Sequence, residues 1–177
     1  MRTIYYFGLF LGFLDAFFIY VFSTYLSLIT GSDNVGIFYL IAYSGVFLCF
    51  YFLPSLIKRI NKTHSLYLSL GISLAASIYL TTIQDDWFSL IAVFFLMVAT
   101  NVAWITLDIL LESFTSDKHT GKIRGTYLTM MNMGLLVAPF FSTMIFEHFN
   151  YQGVFSVLAI MYCIVLSLAF LFMREVR

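Results

Sequence analysis

Long apolar runs alternate with short polar breaks along the whole chain. Residues 4–30, 35–57, 65–83, 87–111, 125–146 and 154–173 are almost entirely apolar, and the stretches between them read GSDN, KRINKTH, QDD, ESFTSDKHTGKIR and EHFNYQG. A bilayer core of about 30 Å takes about 20 helical residues to cross. The pattern therefore predicts six transmembrane helices and no soluble domain. Arg2, ahead of the first run, gives that run the outline of a signal peptide. Its apolar stretch is too long for one and no A-x-A-like cleavage site follows, so it is read as the first helix.

Composition agrees with this pattern. Of the 177 residues, 62% are hydrophobic and 10% charged, against about 25% charged in a soluble domain. Most of the surface must face something other than water, and membrane lipid is the expected surrounding. A formal net charge of zero argues against nucleic acid as a partner. Cys49 and Cys163 lie inside apolar runs and read as small core residues, with no disulfide or metal site expected. The sequence has no G-x-x-x-x-G-K-[ST] loop, no G-x-S-x-G turn and no His/Cys cluster at metal spacing. His64, His119 and His148 sit in or beside the breaks. Without machinery for bond chemistry, the chain reads as a non-enzyme that needs no cofactor.

Loop charge sets an orientation. Arg2, the group Lys58, Arg59 and Lys62, the group Lys118, Lys122 and Arg124, and the pair Arg174 and Arg177 account for all 9 basic residues, and all fall on one side. The opposite breaks carry Asp33, Asp85, Asp86 and Glu147. By the positive-inside rule both termini are cytoplasmic, and the expected location is a plasma membrane, such as the inner membrane of a bacterium.

Two helices carry polar faces at depth. Asp15 lies about 16 Å along the first helix at 1.5 Å per residue, near the middle of the bilayer. A carboxylate there costs about 2.5–3.5 kcal/mol on insertion scales, which protonation, a partner or a water-filled cavity would lower. Gly8, Gly12, Asp15, Ile19 and Phe22 share its helical face. The two glycines either allow close backbone approach or leave space for solvent. No helix offers a Lys or Arg at this depth, so a titrating, cavity-lining group is favoured over a buried polar anchor. The fourth helix presents Asn101, Trp104, Asp108 and Glu112 at spacings of three and four. An indole beside an amide can stack on and hydrogen-bond a polar solute, while Asp108 and Glu112 approach the basic breaks and are candidates to pair with Arg59 or Arg124. Tyr20, Ser23, Tyr25 and Asn132 are weaker candidates. In the fifth helix Pro139 removes a backbone donor and favours a kink, and Gly134, Ala138 and Ser142 form a small-residue ridge for close packing.

These features resemble the N-terminal half of a major facilitator superfamily transporter. LPSLIKRINKTHSL is similar to that family's loop 2–3 motif, G-x-x-x-D-R-x-G-R-[KR]. Arg59 and Lys62 match its basic positions, and Pro54, Lys58 and Asn61 replace its Gly, Asp and Gly. LDILLESFTSDKHTGKIRGTYLTMMNMGLLVAPFF is similar to the helix 4 to helix 5 region of many members. The resemblance implies an all-α fold of two inverted three-helix repeats, about 1–83 and 84–177, in one domain. Helices 1 and 4 would line a central cavity, and Arg59 would pair with Asp108 or Glu112.

The resulting expectation is a secondary active transporter that works by alternating access. It forms a parallel homodimer, or pairs with a second half-transporter chain. Asp15 would take protons or solute, and Asn101, Trp104 and Tyr20 would contact solute. Arg59, Lys62, Asp108, Glu112 and Arg124 would form a charged gate. With no fixed cation at mid-depth, the solute would be small, neutral and polar, such as a sugar moved with protons. The rival readings are a carrier of cationic drugs and a non-transporting accessory subunit.

The orientation is directly testable. Tags at either terminus should be reachable only from the cytoplasm and a probe at Asp85–Asp86 only from outside. Labelling of one site from both sides would show dual insertion.

Overall fold

A computed structural model describes residues 2–82, 87–113 and 120–175. Asp85, Asp86, Lys118, His119 and Arg177 lie outside the described residues. Five helical elements follow one another: α1 (Arg2–Thr30), α2 (Gly36–Ile60), α3 (Lys62–Leu80), α4 (Trp87–Ser113) and α5 (Thr120–Glu175). Among the described residues there is no strand.

The expected count of six helices meets α5, which is continuous across the fifth and sixth apolar runs. Gly121–Leu171 alone is 51 residues of apolar helix, about 75 Å if straight and more than twice a bilayer core. It is not straight. Asn150, at φ 54° and ψ −157°, breaks the helical dihedrals and divides α5 into two arms, 120–149 and 151–175. Dihedrals stay helical through Pro139. The hydroxyls of Ser142 and Thr143 donate to the Pro139 carbonyl at 3.1 and 2.9 Å.

A second asparagine does the same between α2 and α3. Asn61 has φ 72° and ψ 155°. Its N–H closes α2 on the Ile57 carbonyl, its own carbonyl accepts from the Ser65 N–H, and its side chain accepts from the Lys62 N–H at 2.6 Å. The polar breaks KRINKTH and EHFNYQG thus each contract to one residue. Both asparagines combine positive φ with extended ψ, outside the left-handed helical region.

Four segments are long and apolar enough to cross a membrane: Tyr5–Thr30, Gly36–Ile60, Trp87–Ser113 and Gly121–Leu171. α3 is not among them. Ser65, Ser69, Ser73 and Ser77 recur every fourth residue, and all four are buried. These buried serines lower the hydropathy of α3.

α1 packs chiefly on α5 and α3 chiefly on α4, with α3 also touching α5 and α2 lying against α4. The tightest junction is between α1 and the first arm of α5. A Cβ on Gly12 would run into the Met131 carbonyl. One on Gly134 would run into the Leu9 carbonyl and lie 2.7 Å from the Phe13 nitrogen, and one on Gly8 would come 2.8 Å from the Tyr127 ring. The glycines therefore serve close backbone approach, and they hold no solvent space. Ala138 and Ser142 continue the Gly134 ridge and are fully buried. Around this crossing the core gathers Phe7, Leu11, Leu14 and Phe17 of α1 with Tyr127, Phe155, Leu158 and Tyr162 of α5.

Replacing Gly134 with Leu should force the two backbones apart, at about 1–3 kcal/mol for an overpacked core position or more where backbone must move. A lowered melting temperature of the detergent-solubilised protein would register it. Gly121→Ala, where a Cβ meets nothing within 4 Å, serves as the control.

Candidate functional site

Asp15 sits half-buried on α1, one turn beyond Gly12. It and the expected solute residues of α4 share one depth. Asp15, Asn101 and Trp104 all lie within about 6 Å of the middle of their apolar helices at 1.5 Å per residue. Among the described residues Asp15 makes no hydrogen bond or ion pair. Its carboxylate is within electrostatic reach of the Tyr162 phenol on the second arm of α5.

Tyr162 belongs to a polar cluster that the sequence analysis did not identify. Its hydroxyl lies 2.6 Å from Thr100 Oγ1, and Ser73 Oγ lies 3.5 Å from the same atom. Thr100 also donates to the Leu96 carbonyl at 2.7 Å. A threonine hydroxyl has one proton, so with that bond made Thr100 is an acceptor toward the other two. Tyr162 and Ser73 are then the donors. All three residues are buried. The cluster ties α3, α4 and the second arm of α5 together at the level of Asp15. The one hint of it in the sequence is the four-residue serine repeat of α3; a single Tyr within MYCIV carries no pattern.

On α4 the two expected solute contacts are half-buried. Asn101 Nδ2 donates to the Met97 carbonyl at 2.9 Å, which leaves its amide oxygen as an acceptor. Trp104 Nε1 is buried and has no hydrogen-bond partner among the described residues. A buried N–H without an acceptor costs about 1–3 kcal/mol, and an acceptor brought by a solute would remove that cost. Tyr20 is 57% exposed on α1. Ser23 is exposed one turn further along α1. Tyr25 is buried between the rings of Tyr151 and Phe155, and Asn132 is exposed.

At the far end of α4 a charge pair is present. Arg124 Nη2 and Asp108 Oδ2 are 2.8 Å apart, with both side chains partly exposed. Asp108 is thus held by Arg124, where the resemblance pointed to Arg59. Arg59 is exposed, and neither it nor Lys62 makes an ion pair among the described residues. Glu112 is exposed at the last turn of α4. No group of three or more His, Cys, Asp or Glu side chains suited to a metal occurs among the described residues.

Residues 5–177 match the family model described as Major Facilitator Superfamily. The chain belongs to that superfamily. No curated protein matches it. Membership makes it an integral membrane protein and a transporter of the major facilitator kind. The polar groups at mid-depth on α1 and α4 are therefore the candidate path for a solute.

Tyr162→Phe should lower stability by about 0.5–1.5 kcal/mol, the usual worth of a hydrogen bond. Arg124→Gln, which breaks a partly exposed ion pair, should cost less than about 1 kcal/mol. Thermal or chemical unfolding of the two variants in one detergent would rank them.

Proposed function

We propose that the protein is an alternating-access carrier that moves a small neutral polar solute, such as a sugar, together with protons. The observation that carries this reading is Asp15, a half-buried carboxyl at mid-membrane depth with no cation beside it and a partly filled polar neighbourhood. A charged carboxylate at that depth costs about 2.5–3.5 kcal/mol, and taking up a proton removes the charge. Asn101 offers an acceptor and Trp104 a donor at the same depth, a pair suited to hydroxyl groups. The absence of a fixed cation there disfavours an anionic solute. The exposed Tyr20 ring beyond Asp15 favours, as a second reading, a cationic amphipathic solute held by ring and carboxylate together.

The two arms of α5 act as separate membrane-crossing helices, and with α3 they complete six in two inverted repeats. Asn61 and Asn150 support this, since each ends the second helix of its three. The same distance along the chain separates Asp15 from Trp104, which puts the carboxyl and the indole at matching places in the two repeats. One such bundle forms one wall of a cavity. We take the facing wall to be a second copy in the same orientation, related by a twofold axis along the membrane normal, the axis that relates the two halves of this family. The Asp108–Arg124 pair is the gate. As a partly exposed ion pair it contributes about 0–1 kcal/mol, weak enough to open and reform in each cycle.

Asp15→Asn should abolish accumulation driven by an imposed pH gradient in proteoliposomes, while sugar exchange at equal pH on both sides persists. A panel of labelled mono- and disaccharides supplies the substrates. Undiminished gradient-driven accumulation would make Asp15 a polar anchor between helices.

A further inference from the structure

A groove of about 310 Å³ opens to the surface between α2, α3 and α4, away from Asp15. Its walls are apolar, formed by Phe52 and Leu56 of α2, Leu68 and Ile72 of α3, and Phe95 and Val98 of α4. It runs toward the Asn61 turn, where two further features stand. Ser65 lines the groove, is 1% exposed, and its hydroxyl has no hydrogen-bond partner among the described residues. Beyond it lie bases. Arg59 follows Leu56 by three residues on α2, and Lys62 precedes Ser65 by three on α3. Residues three apart share a helical face, so each base extends the groove-lining face of its helix by one turn. The acid that could have neutralised Arg59, Asp108, is held by Arg124.

We propose that this groove binds one anionic phospholipid from the leaflet on the side of the Asn61 turn. The acyl chain lies along Phe52, Leu56, Leu68 and Val98, the phosphate meets Arg59 and Lys62, and the Ser65 hydroxyl donates to the ester carbonyl between them. The distribution of chemistry selects this occupant. The groove is apolar along its length, has one orphaned donor near one end, and has just past it two cations that make no ion pair among the described residues. A phospholipid carries the complement in the same order: tail, ester, phosphate. An apolar helix from another chain would satisfy the walls, but would leave the hydroxyl and both cations unanswered. A free anion would meet the cations and leave the groove empty. The geometry also accounts for Arg59 standing outside the ion pair at the end of α4.

Native mass spectrometry of the purified full chain tests this. The protein is released from detergent after incubation with dioleoyl-phosphatidylglycerol or with dioleoyl-phosphatidylcholine. Two bases near an anionic headgroup correspond to a preference of about tenfold or more, so the glycerol lipid should be retained at roughly tenfold lower concentration. Arg59→Gln combined with Lys62→Gln, both outside the packed core, should abolish the preference and leave phosphatidylcholine retention unchanged. Leu68→Trp, which fills the groove, should reduce retention of both lipids. Equal retention of the two lipids by the wild type, a preference that survives the double substitution, or retention unaffected by Leu68→Trp would each overturn the proposal. So would a Cys49–Cys49 crosslink between copies in phosphatidylglycerol vesicles, made in a Cys163→Ser background, because a second chain would then occupy the groove.

Discussion

The crossing of α1 over the first arm of α5 is the contact on which the rest of the bundle depends. Inside a bilayer, lipid tails are as apolar as leucine, so helices gain little from hiding apolar side chains from one another; close van der Waals contact and hydrogen bonds hold them instead. Gly12 and Gly134 each meet the backbone of the facing helix where a Cβ would stand. That approach fixes the rotation of α1 about its own axis. With Gly8 and Gly12 turned toward α5, Phe7, Leu11 and Leu14 are carried into the core. Asp15, one turn further on, is carried to the side where Tyr162 stands. The position of the carboxyl is thus a consequence of two missing side chains.

Polar groups within the bundle divide into those that are satisfied and those that are not. Thr100, Tyr162 and Ser73 share their protons in a closed arrangement that joins three elements. Ser69 is satisfied locally by the Leu66 carbonyl. By contrast Trp104 Nε1 and Ser65 Oγ are buried without partners among the described residues. Ser77 Oγ and Thr106 Oγ1 are in the same position, and of the four only Ser65 lines a groove open to the surface. An unsatisfied buried donor is costly in a low-dielectric interior, so a ligand that answers it gains affinity there. The satisfied cluster joins α3, α4 and the second arm of α5.

The ends of the bundle follow a different logic. Two single asparagines at positive φ reverse the chain where longer loops were expected. At the α4 end, Arg124 reaches Asp108 from the first turns of α5, and the bases beside Asn61 are left for another use. Asp108 pairs with Arg124, although the motif match favoured Arg59.

Hydropathy and residue counting determined a good deal on their own. They set the all-helical class, the membrane setting, the family resemblance and the depth of Asp15, Asn101 and Trp104, because depth along a helix is the residue number times a constant rise. They did not determine azimuth. Helices that are apolar on every side carry almost no facial periodicity, so which residues meet across an interface was decided by packing alone. That is why the glycines of α1 read equally as contact or cavity, why Thr100 and Tyr162 went unseen, and why Arg124 rather than Arg59 holds Asp108. It is also why α3 reads as an ordinary apolar run in the sequence although its serines all turn inward. Lipid selects for apolar composition at a given depth, whereas only the neighbouring backbone selects which side chain has room and which polar atom finds a partner.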